Sequence, residues 1–122
     1  MRFPRDLAGC AALLLSVLAT GCSTTSDKRV EGWPELAIVE HNVSDDEISA
    51  RCSPYTRPGR RALACAEYHF GESRCDIWYG SLWLLRPIVV AHERSHCRGY
   101  GHAGENRMEE ALRSYRAAAA GG

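Results

Sequence analysis

Residues 92–102 read His92-Glu93-Arg94-Ser95-His96-Cys97-Arg98-Gly99-Tyr100-Gly101-His102. Residues four apart share one face of a helix, so His92 and His96 present two imidazoles to a single metal ion, with Glu93 beside them. Catalytic zinc is ordinarily held by three protein ligands, the fourth position going to water or substrate. Gly99 supplies the route to a third ligand. A glycine enters the left-handed conformation that ends a helix and turns the chain back, and His102 follows it by three residues. The chemistry that such a set serves is hydrolysis: the cation acidifies a water molecule and Glu93 takes its proton. His41 and His69 stand outside the pattern and read as surface or hairpin histidines.

The elements that must position these groups can be read outward from them. Pro87 suits a first helical position and Ile88 to Ala91 are apolar, so the motif lies on a helix that opens near Pro87 and is partly buried. A pair of polar ligands on a buried helix needs a partner such as a metal. Upstream, Glu35 to Val43 contains an apolar, partly β-branched run that predicts a strand, and Ser44-Asp45-Asp46-Glu47 predicts a capped helix reaching about Cys52, with Ile48 and Cys52 facing inward. Residues 53–61, with Pro54, Pro58 and Gly59, read as a loop. Ala62 to Phe70 and Cys75 to Tyr79 predict a β-hairpin turning at 71–74, and Trp78, Tyr79 and Trp83 read as core or cover. Beyond Gly104, Met108, Ala111, Leu112, Tyr115 and Ala119 recur at helical spacing. The sum is a small α+β domain over residues 35–122, made of a short antiparallel sheet or hairpin, a motif helix and a C-terminal helix.

The eleven-residue motif resembles that of the metzincin clan of zinc metallopeptidases, with His92, His96 and His102 in the places of the metal ligands, Glu93 as the general base and Gly99 as the turn. The spacing of Cys65-Ala66, Tyr68, Cys75 and Ile77 before it also resembles small proteobacterial lipoproteins carrying an HExxH helix. The resemblance implies a minimal zincin-like fold, a bound Zn2+ and a peptide or protein substrate. It also implies that the strand before the motif helix, Cys75 to Tyr79, is the sheet edge onto which an extended peptide adds. Other zincins take a third ligand from a downstream glutamate, for which Glu109 is the alternative to His102. Tyr79 and Tyr100 are candidate oxyanion stabilisers. The clan's methionine-bearing turn has no counterpart, since Met108 falls on the C-terminal helix.

The first residues carry a separate message. Arg2 and Arg5, an apolar run from Leu7 through Ala19 and Gly21-Cys22 form a targeting segment. It resembles a bacterial lipoprotein signal over residues 1–21, in which Cys22 becomes the lipidated first residue of the mature chain; the alternatives are a plain secretory signal or an uncleaved anchor. Residues 22–34 then read as a polar tether. The expected place is the bacterial cell envelope, held to the membrane through Cys22 and facing the periplasm. The whole chain has 15 basic and 15 acidic side chains, and losing Arg2, Arg5 and Asp6 leaves one more acidic than basic group. No nucleic-acid partner is implied, and a monomer is expected.

Cys52, Cys65, Cys75 and Cys97 remain, an even number suited to two disulfides in an oxidising compartment. Three pairings are open. The hairpin favours Cys65 with Cys75, which leaves Cys52 with Cys97 to clamp the motif helix; metal ligation through Cys97 is the alternative. The functional expectation is a lipid-anchored, zinc-dependent metallopeptidase. Its rival is a non-catalytic zinc-binding envelope lipoprotein or interaction module.

Overall fold

The computed structural model describes residues 25–81 and 84–122. The expectations for the leader, for lipidation of Cys22 and for Trp83 fall outside these residues. A mixed sheet of three strands organises the domain: β2 (Ala37–Asn42), β3 (Ala64–His69) and β4 (Arg74–Tyr79), in the order β2-β4-β3. The predicted hairpin is present, with Ala64 opposite Tyr79 and His69 opposite Arg74. Its reversal is completed by Ser73, in the left-handed region at φ 51°. Strand β2 joins the far side of β4 in parallel, Ala37 opposite Arg74.

That parallel pairing corrects one expectation. Strand β4 is the centre of the sheet, not its edge, and Cys75, Asp76 and Ile77 are all buried. A neighbour recruited from 37 residues earlier leaves no local trace in the β4 sequence; β3 takes the edge position instead.

Alternation along the strands sends side chains to two faces. Cys75 and Ile77 share one face with Ala66 and Tyr68, and join Val30, Trp33, Leu36, Cys97, Met108 and Leu112 in the main core. The opposite face carries Cys65 and Trp78, which pack with Ile48 and Cys52 of helix α1 (Asp45–Cys52). The Ser44 hydroxyl caps this helix by accepting from the Glu47 amide at 3.3 Å, as its sequence predicts.

The two faces also decide the disulfides. Cys65 stands opposite Trp78 and Cys75 opposite Tyr68, so the two cysteines leave opposite sides of the sheet and a hairpin bridge between them is excluded. The bonds are Cys52–Cys65 and Cys75–Cys97, correcting both expected pairs. The first ties α1 to the sheet. The second ties the central strand to the motif helix α2 (Arg86–Cys97), which packs on β3 and β4.

The expected tether is corrected as well. Residues 25–29 form strand β1 (Thr25–Arg29), antiparallel to β5 (Tyr100–His102), with Thr25 opposite His102 and Arg29 opposite Tyr100. Val30 and Trp33 then enter the core at 8% and 3% exposure. Helix α3 (Arg107–Gly121) closes the domain, burying Met108 and Leu112. Among the described residues, no helix is long and apolar enough to cross a membrane.

Candidate metal centre

Helix α2 opens with Pro87 in its first turn and buries Val90, Glu93, His96 and Cys97, the three- and four-residue spacing of a helix face turned inward. It ends at Cys97 with Arg98 as its C-cap, after which Gly99 takes φ +100°. Two constraints meet at this glycine. Its backbone lies where other residues are strained, and an added Cβ would stand 2.7 Å from Trp33 Cγ and 2.9 Å from Trp33 Cβ. Trp33 is itself pinned, its indole Nε1 donating to the Cys97 carbonyl at 2.9 Å. The supposed tether thus supplies the surface against which the motif's turn is made.

The turn returns β5 beneath the helix and brings His92, His96 and His102 together. Their ring centroids lie 4.6 Å (92–96), 5.1 Å (92–102) and 4.6 Å (96–102) apart. One potential ligand atom from each falls within 4.8 Å of the others, so the triad could hold a metal ion. Among the described residues no fourth His, Cys, Asp or Glu joins the group. The His96 Nδ1 donates to the Tyr100 carbonyl at 2.6 Å; a carbonyl only accepts, which leaves Nε2 with its lone pair facing the cluster. That Nε2 is 3.0 Å from His92 Nε2. His102 Nδ1 is buried without a hydrogen-bond partner among the described residues.

The competing ligands are placed elsewhere. Glu109 is exposed and outside the group, and Glu105 at the rim accepts from Arg57 at 2.9 Å. Cys97 has no thiolate to offer because it is bonded to Cys75. His41 and His69 lie on the opposite sheet face, their Nε2 atoms 3.1 and 2.9 Å from different oxygens of buried Asp76. Burial alone would raise the Asp76 pKa, but His41, Arg74 and His69 outweigh it and hold the carboxyl below its ordinary value.

Burial sets the proton affinities around the triad. It pushes Glu93 up from 4.5 to about 7. It also pulls His96 down to about 4, with the neighbouring His92 and His102 acting in the same direction. His92 is lowered by burial and by His102. His92 and His96 are therefore neutral at neutral pH, the form in which an imidazole binds a metal.

Beside the triad lies a cavity of about 530 Å³, lined by Glu93, His96 and His102 and also by Tyr68, Phe70 and Met108. Tyr79 and Tyr100, the tyrosines expected to serve an oxyanion, do not line it. Tyr68 does, and the strand alternation that directs it towards α2 was the available signal. Met108 lines the cavity from a helix, and a Cβ on Gly101 would lie 3.4 Å from its sulfur. Comparison with known proteins returns no matching family model, no matching curated sequence and no matching solved structure.

Proposed function

We propose that the protein is a zinc-dependent metallopeptidase of the bacterial envelope, anchored by a lipid on Cys22. One observation carries the reading: three imidazoles converge, and two of them, His96 and His102, line an open cavity together with the buried Glu93 carboxylate. The donor set suits zinc. Metal–nitrogen bonds of about 2.0–2.1 Å at tetrahedral corners put two nitrogens about 3.3 Å apart, and His92 Nε2 and His96 Nε2 are 3.0 Å apart. Three ligands with no fourth among the described residues favour a catalytic over a purely structural ion, whose coordination is usually closed by protein.

The ion, when bound, supplies Lewis acidity towards a carbonyl and lowers the pKa of water. The chain's own residues supply the rest. Glu93 takes a proton from the attacking water as its oxygen bonds to the peptide carbonyl carbon and the C=O π pair moves onto oxygen. When that pair returns, the C–N bond breaks, and Glu93 delivers the proton to the departing nitrogen. The products are a carboxylic acid and an amine, which at neutral pH become a carboxylate and an ammonium group as the second water proton passes to the amine. A carboxyl balanced near pH 7 by burial is suited to both transfers. Strand β3, at the edge of the sheet and beside the cavity, offers backbone groups to an extended substrate.

The test is metal analysis and peptide turnover of wild type, His96→Ala and Glu93→Gln. Wild type is expected to carry one zinc and to lose activity to a chelator, His96→Ala to lose the metal, and Glu93→Gln to keep the metal without turnover. Undiminished cleavage by Glu93→Gln would overturn the mechanism.

A further inference from the structure

We propose that Tyr68 is a catalytic residue of this site, its hydroxyl donating a hydrogen bond to the substrate carbonyl oxygen as negative charge develops there. The inference rests on the peptidase reading and adds to it a residue outside the eleven-residue motif.

The sheet register places Tyr68 on the metal side. It stands opposite Cys75, Cys75 is bonded to Cys97, and Cys97 follows the ligand His96. The disulfide thus ties the cross-strand neighbour of Tyr68 to the metal helix, and the strand pairing holds Tyr68 beside that neighbour. Its ring is held as well. Trp33 packs edge-on against it at 4.9 Å, and Phe70 stacks at 5.8 Å. Trp33 also packs on Gly99, so the aromatic that positions Tyr68 also shapes the turn that delivers His102. A donor fixed in advance by packing loses little on reorganisation when charge appears.

Tyr68 shares the cavity with Glu93, His96 and His102. It is close enough for the Glu93 charge, added to burial, to raise its pKa, so the phenol remains a donor throughout the neutral range. Tyr79, on the same face of the neighbouring strand, instead lies beneath the Arg86 guanidinium at 5.3 Å, outside the cavity.

The experiment compares full-length, zinc-loaded wild type with Tyr68→Phe, which keeps the packed ring, and Tyr79→Phe. Zinc content and thermal melting report whether the fold and triad survive. Calorimetric affinity for a peptide phosphinate, whose tetrahedral anion resembles the developing oxyanion, is read beside affinity for the corresponding product peptide. Tyr68→Phe should keep its zinc and its product affinity, lose about 10–100-fold in phosphinate affinity, and lose about 10²–10³-fold in kcat with little change in KM. Tyr79→Phe should match wild type. Phosphinate affinity and kcat within twofold of wild type in a folded, zinc-loaded Tyr68→Phe would overturn the assignment, as would the same losses in Tyr79→Phe. A wild type that holds zinc but neither binds the phosphinate nor cleaves peptides would overturn the peptidase reading, and this inference with it.

Discussion

Glu93 should make the metal-free protein less stable as the pH rises, and replacing it with glutamine should remove that penalty. The carboxyl is 8% exposed and its pKa is raised from 4.5 to about 7 by burial alone. Between those two values the folded state holds a proton that the unfolded chain has released. Stability therefore falls by about 1.4 kcal/mol per pH unit across this window. The full loss is about 3 kcal/mol above pH 7, and it is absent below pH 4.5. Glutamine has the same shape and never ionises. With the metal removed by chelator, urea unfolding followed by circular dichroism from pH 5 to 9 should give curves for Glu93→Gln and wild type that lie close together at pH 5. The variant should be more stable by about 2–3 kcal/mol at pH 9. The histidines are common to both proteins, so their titration cancels in the difference. Restoring zinc at pH 9 places a cation beside the carboxylate and should narrow the gap. A difference independent of pH, or a wild type more stable than the variant at pH 9, would refute the assignment of a desolvated base.

Gly99→Ala combines a left-handed backbone at φ +100° with a Cβ 2.7 Å from Trp33 Cγ; it should cost about 3 kcal/mol and lower the melting temperature by about 10–20 °C, with weakened zinc binding. Unchanged melting would mean that the turn does not lean on Trp33. Removing either disulfide as a double alanine variant should cost about 3 kcal/mol, from sequence separations of 22 and 13 residues. Only loss of Cys75–Cys97 frees α2 from the sheet, so zinc affinity by calorimetry should fall about tenfold or more in that variant and hold in Cys52→Ala/Cys65→Ala. Equal losses in the two would show that the bond beside His96 has no particular hold on the site.

Local pattern was enough for much of this protein. The spacing of His92, His96, Gly99 and His102 specified a helix, a turn and three converging imidazoles, because helical periodicity and the conformational freedom of glycine act over a few residues. The capped helix after Ser44, the hairpin and the C-terminal helix were legible for the same reason, and together they made the α+β class readable. What local pattern lacked was the identity of partners distant in the chain. The parallel neighbour that makes β4 central comes from residues 37–42, and the strand that supports His102 comes from residues 25–29, inside a stretch whose polarity suggests a tether. Val30 and Trp33 were its only apolar hints. Cysteine pairing depended on which side of the sheet each sulfur leaves, a matter of register that a list of cysteines does not contain. Tyr68 came to line the cavity beside the histidines only because strand alternation puts it on the sheet face that packs against α2. Ligand type and spacing are properties of short segments, whereas edge, pairing and proximity are settled when the whole core packs.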